Sequence, residues 1–372
     1  MSAYQRAPYG AWERQGRRER ERLAGEGAGE RVDGRAQPPS YYGRPAVKAS
    51  QYRWLIASYL FVGGLAGAAQ VLAAVADLFG RERDRPVVRA GRYVALAGAL
   101  LSSIFLIADL HTPQRWYNML RIFRRTSPMS FGSWTLATFG TFSGLAAAAQ
   151  ALEDLWGRRL PGRVLARLFG LPAAAAGVVM SYYTGILLSA TSTPLWAAAY
   201  RLLPALFATS AMSTATAALS LLTTAAGVPK SVRRRLERIA LAASAAELAL
   251  TLAAGWVWHR RGQYRPLTEE PYASAYRFGA LGLGILVPLA AHSGQVLGLW
   301  ESAVASSLAA AAALAGGYIQ RAVLLFAGNE SARRPEAYLR LTQPAAGLRG
   351  DDWALRQKGQ ALLRGIAAED VR

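Results

Sequence analysis

The chain contains no cysteine. Disulfides, iron–sulfur clusters and thioether-linked haem on this polypeptide are thereby excluded. Lysine occurs only at Lys48, Lys230 and Lys358, a bias toward arginine that carries no functional argument. Histidine is as scarce: His111, His259 and His292. A membrane haem b needs paired histidines facing each other at similar depth. Here His111 and His259 fall at helix ends and His292 inside a span, so neither haem nor metal is expected on this chain. Acidic residues are few, 23 against 43 basic, for a net charge of +20. Residue-by-residue alternation of apolar and polar side chains is also missing, which argues against a β-barrel. No signal peptide is expected, because the first 50 residues are polar and basic and the first apolar run is too long for a signal core.

Apolar sequence is what the chain has in excess: 52% hydrophobic residues and a mean hydropathy of +0.14. A soluble domain with this many charges would not be so apolar, so the charges must be segregated. Apolar runs of about 20 residues do alternate with short arginine-rich connections. The pattern predicts an all-α integral membrane protein of the cell's inner membrane. Because the arginines lie between spans, anionic lipid headgroups rather than nucleic acid are the expected partners. Eight transmembrane helices are predicted, near 54–79, 93–110, 131–152, 168–190, 195–225, 239–258, 278–299 and 302–327. They form a membrane domain over 51–328, between a disordered basic N-terminal tail, 1–50, and a polar C-terminal tail, 329–372. An even number of spans puts both termini on one side, and the arginine count of the short loops puts that side outside the cytoplasm.

The chain is organised around the polar connection IADLHTPQRWYNMLRIFRRTSPMSFGSW, residues 107–134. Trp116, Met119, Leu120 and Phe123 recur at helical spacing, with most of the arginines off that stripe, which predicts a short amphipathic helix along the membrane interface. An ionisable group inside a bilayer is costly unless it is paired or faces water. Asp109, Glu247, His292 and Arg321 are the candidates at depth. His111, Arg115, Asn118, Tyr182 and Tyr183 lie nearer an edge. A carboxylate beside a histidine and an arginine can bind a polar ring carbonyl and pass protons to it, and an apolar bundle can hold an isoprenoid tail. Those are the needs of a quinone site. Plainer readings stand beside this one. Asp109 and Arg115 can be an interfacial ion pair, Glu247 and Arg321 a structural pair between helices, and the tyrosines simple packing. His292, near Pro288, can serve only a kinked backbone. Gly63 and Gly67 share a face that permits close helix contact.

Four segments carry a resemblance: YLFVGGLAGAAQ, the central stretch, YYTGILLSATSTPLWAAAYRLLPALFATSAMSTATAAL and AGGYIQRAVLLFAGN. In order and content they resemble the NrfD / polysulfide-reductase membrane-subunit family over about residues 52–328. The resemblance implies an eight-helix anchor, arranged as two four-helix bundles, that binds a quinone (menaquinone or ubiquinone) within a multisubunit oxidoreductase. It implies a separate iron–sulfur, ferredoxin-like subunit as electron partner, often with a molybdopterin subunit beyond it. By carry-over the segment Asp109 to Asn118, with His111 and Arg115, lines or supports the quinone pocket, and Tyr183 donates a hydrogen bond. Glu247, His292 and Arg321 then form a proton path or a structural network. The rival expectation is a proton or ion translocator that uses those three groups as relays. A non-catalytic tether is the third.

Overall fold

The computed structural model describes residue 45 and residues 47–156, 162–300 and 302–342. The disorder expected of the N-terminal tail falls, up to residue 44, outside the described residues, as does the tail beyond residue 342. Among the described residues there is no strand.

The first helix, α1 (Trp54–Phe79), spans the expected segment. The second, α2 (Arg85–Ala108), begins well before the expected position 93. Pro86 suits a first helical turn, where no amide hydrogen is needed. The early arginines stay in the helix because carboxylates meet them: Arg89 lies 2.8 Å from Asp154 and Arg92 lies 3.2 Å from Asp77. Next come α3 (Pro128–Trp156) and α4 (Gly162–Ser189). The fifth expected span is interrupted: a short α5 (Pro194–Ala198) precedes α6 (Leu203–Ala225). Pro204 accounts for the break, since it has no amide hydrogen for the Tyr200 carbonyl and disfavours helix in the residue before it. Arg201 sits in this break, exposed, and donates to the Tyr200 hydroxyl at 2.8 Å. Then follow α7 (Lys230–Arg260) and a short α8 (Arg265–Thr268). A π-helical stretch (Ala275–Leu286) runs on into α9 (Val287–Val296). The last long helix, α10 (Ala303–Arg333), is capped by the Ser302 hydroxyl and followed by α11 (Pro335–Thr342).

Seven of these helical segments are long and apolar enough to cross a membrane; α3 is not among them. Its 29 residues would reach across, but they mix glycine, serine, threonine and glutamine with the apolar side chains. Ser133 and Thr135 turn inward and donate to the carbonyls of Met129 and Phe131, each at 2.9 Å.

Helix α1 is central. It packs on α2 and α4 and also on α6 and α10. Both glycines of its shared face turn to α4: a Cβ on Gly63 would meet the Met180 methyl at 2.7 Å, and one on Gly67 would run into the Gly177 carbonyl. The connection between α2 and α3 differs from the expected interfacial helix. It is a 3-10 helix, Pro113–Leu120, with non-helical backbone at Arg115, and none of its residues is buried. Pro113 starts the turn, and no facing helix buries its apolar stripe. Phe123 lies beyond it, with its ring 6.2 Å from that of Trp134.

Candidate functional site

Asp109 caps the end of α2, its amide donating to the Phe105 carbonyl at 3.1 Å. Its carboxyl is half-buried, and burial holds it above the ordinary carboxylate range, while Arg53 and His111 pull it back down. Arg53 is the residue just before α1. Its neighbour Tyr52 feels the Asp109 charge, and burial together with that charge raises the phenol. The Tyr52 ring is stacked on Trp196, centroids 6.2 Å apart. Trp54 and Phe105 meet edge to face at 6.4 Å beside them. Asp109, His111, Arg53 and Tyr52 therefore gather where α1 begins and α2 ends. Trp54, at 57% exposure, and Ile104, at 58%, open this corner to the surroundings of the bundle.

The remaining predicted residues of this group are placed less closely. Arg115 and Asn118 lie farther along the exposed loop that carries His111, and Asn118 accepts from Arg121 at 3.4 Å. Tyr183 is buried in α4, and its hydroxyl donates to the Pro128 carbonyl at 2.7 Å. Its ring centroid lies 6.0 Å from that of Phe131. Tyr183 thereby pins the start of α3 against α4.

Beneath this corner lies α5. Trp196 is fully buried and donates to the Leu324 carbonyl at 2.7 Å, while Trp258 donates to the Leu195 carbonyl at 2.8 Å. The two indoles tie α5 to α10 and α7 and form an apolar floor. Sequence reasoning missed Tyr52, Arg53 and Trp196. Parity was the available signal: in an antiparallel bundle the start of the first span lies beside the end of the second, so the residues just before Trp54 had to meet Asp109.

The second group lies deep among α6, α7 and α10. Arg321 is 1% exposed. It donates to Ser210 Oγ at 2.7 Å, to Gln320 Oε1 at 2.5 Å and to the Phe207 carbonyl at 2.9 Å, and it lies 4.4 Å from the Phe207 ring centroid. The Glu247 carboxyl, also buried, is faced by Ser210, Ser213, Gln320 and the charge of Arg321. These two groups are thus brought together through Ser210 and Gln320. His292 is not brought to them. It sits one turn before Gln295 on α9, and Gln295 and Ser306 close on Glu237 instead, Ser306 donating to Glu237 Oε1 at 2.9 Å. Glu237 and Glu247 stand about 15 Å apart along α7 at the helical rise per residue. Among the described residues no group of three or more histidine, aspartate or glutamate side chains is placed to hold a metal ion.

No curated protein matches the chain. The family model described as "Polysulphide reductase, NrfD" matches residues 47–331, from just ahead of Tyr52 to the last turn of α10. The match takes in the Asp109 corner, the indole floor and the Glu247–Arg321 group, and the chain belongs to the NrfD family.

Proposed function

We propose that the chain is the membrane-anchor subunit of a multisubunit oxidoreductase, binding quinone or quinol at the Asp109 corner and exchanging electrons with a partner iron–sulfur subunit. In this reading α3 is the eighth span, and α1–α4 make one four-helix bundle while α6, α7, the π-helical stretch with α9, and α10 make the other, joined through α1. The protein lies in the inner membrane with the arginine-rich loops inside. A molybdopterin subunit beyond the iron–sulfur partner belongs to the same proposal.

One observation carries it. An acceptor, Asp109, and three donors, His111, Arg53 and Tyr52, converge at the edge of the bundle beside exposed Trp54 and Ile104. These residues fit a quinone ring: hydrogen-bond donors for its carbonyls, a carboxylate for its hydroxyls, and aromatic walls from Trp54 and Phe105. Bound there, a quinone supplies two-electron, two-proton chemistry. Asp109 exchanges the proton, Arg53 and His111 orient and polarise the ring oxygens, and Trp196 and Trp258 exclude water from below.

Replacing Asp109 by asparagine tests this. Quinol-linked turnover of the purified complex is expected to fall about 100-fold. Stability is expected to move the other way. The folded carboxyl holds its proton to higher pH than the unfolded one, so the native state loses stability as pH rises through that window. Removing the charge therefore leaves the thermal midpoint at pH 7 unchanged or slightly raised. Wild-type turnover in the variant would end the proposal.

A second reading, proton translocation, rests on the buried polar stripe Glu237, Ser244, Glu247 and Thr251 along α7. Proteoliposomes of the chain alone separate the two. Proton flux without a redox partner, abolished in Glu247→Gln, supports translocation; inert vesicles support the anchor.

A further inference from the structure

The segment just ahead of α1, residues 47–53, forms no helix, and none of it is buried. Among the described residues no backbone–backbone hydrogen bond involves residues 47–52. Chain in that state is fixed only by what reaches it from other elements. Packing contributes little, because a hollow of about 260 Å³ lies between this segment and α10, with Tyr272 and Phe326 on its far side.

One side chain does reach the segment. Asn329, near the end of α10, is 9% exposed. Its Oδ1 accepts from the Ser50 amide at 3.2 Å and from the Ser50 hydroxyl at 2.6 Å, and its Nδ2 donates to the Tyr52 carbonyl at 3.4 Å. A carboxamide joins an acceptor and a donor in one planar group, so Asn329 meets a backbone donor and a backbone acceptor two residues apart at once. The same part of α10 also holds the floor below. The Leu324 carbonyl accepts from Trp196, the indole lies where a Cβ on Gly328 would run into it, and Ser331 Oγ accepts from the Leu195 amide at 3.1 Å. Tyr52 stacks on that indole. Its carbonyl is thus fixed by Asn329 and its ring by Trp196, both from beyond the first bundle.

We propose that Asn329 is a positioning residue of the quinone site: it clamps the segment ahead of α1 so that the Tyr52 phenol is presented to the ring, and α10 thereby builds one wall of a site that opens beside α1 and α2. This rests on the quinone reading of the Asp109 corner.

Two measurements test it together. The chain has no cysteine and Lys48 is exposed, so a nitroxide on Lys48→Cys, in the full chain in nanodiscs, reports the mobility of the segment alone. Quinol kcat/KM of the purified complex reports the site. Asn329→Ala is expected to sharpen the nitroxide spectrum and to lower kcat/KM about fivefold, the loss of one well-placed hydrogen bond. Tyr52→Phe is expected to lower it equally, and the double variant no further, because Asn329 acts through Tyr52. Asn329→Asp keeps an acceptor for both Ser50 donors and should retain most of the activity. Should Asn329→Ala fail to fold, Ser50→Ala removes the 2.6 Å bond from the other side and is expected to shift both readouts in the same direction. An unchanged nitroxide spectrum in Asn329→Ala overturns the clamp. A freed segment with wild-type kcat/KM overturns the positioning role and, with Asp109→Asn impaired, spares the Asp109 reading. Losses that multiply in the double variant overturn it as well, since a general packing defect would act in either background. Wild-type turnover in both Asp109→Asn and Tyr52→Phe overturns the corner itself, and the positioning role with it.

Discussion

Replacing Arg321 with methionine is expected to destabilise the protein by about 3–5 kcal/mol, the cost of removing one member of a buried charge pair. The guanidinium makes three hydrogen bonds, to Ser210, Gln320 and the Phe207 carbonyl. All three acceptors are enclosed and would lose their donor, and Glu247 nearby would lose its cation. The companion Glu247→Gln should cost a similar amount, because it strands the buried Arg321 guanidinium, which cannot shed its proton. Combining the two should recover much of the Arg321→Met loss, since the uncompensated charge is then gone. Thermal unfolding in detergent, followed by tryptophan fluorescence, measures all three variants. A double variant no more stable than Arg321→Met alone would mean that the two groups do not sense each other.

That pair also shows where the sequence was legible. Glu247 and Arg321 stand out because they interrupt apolar runs, and a costly residue at depth announces itself. The same logic located α1 to its ends, since its flanks are polar and its interior is not. Legibility failed where charge and helix coexist. Arg89, Arg92 and Arg235 read as loop, yet they belong to α2 and α7 because Asp154, Asp77 and Asp84 come from other elements to pair with them. Partners distant in sequence are invisible to local hydropathy. The break between α5 and α6 was legible in Pro204 but was masked by the apolar residues around it.

The Asp109 site was half legible. A carboxylate at the end of an apolar run could be read off directly; Tyr52 and Arg53 carry no local mark and follow only from the antiparallel packing of the first two spans. Arg115 and Asn118 had looked central by proximity in sequence. The structure puts them on an exposed 3-10 turn, where a five-residue step from the helix end is enough to leave the bundle.

Gly132 is where site and scaffold meet, and its replacement by alanine should have the other large effect. A Cβ there would run into the ring and hydroxyl of Tyr183. Both helices are fixed by other contacts, α3 to α2 and α4 to α1, so the tyrosine must give way and lose its 2.7 Å bond to the Pro128 carbonyl. The expected cost is about 2–4 kcal/mol, overpacking plus an unsatisfied buried pair. Tyr183→Phe removes only the hydroxyl and should cost about 1 kcal/mol. Gly132→Ala combined with Tyr183→Leu should be more stable than Gly132→Ala alone, because the ring that collides is gone. Turnover separates packing from function. If Tyr183 acts by holding the start of α3, both Gly132→Ala and Tyr183→Phe lower turnover in proportion to their loss of stability. If its hydroxyl meets the quinone, Tyr183→Phe loses far more turnover than its small thermal shift accounts for. A Gly132→Ala protein with an unchanged thermal midpoint would show that α3 and α4 stand farther apart than these contacts place them.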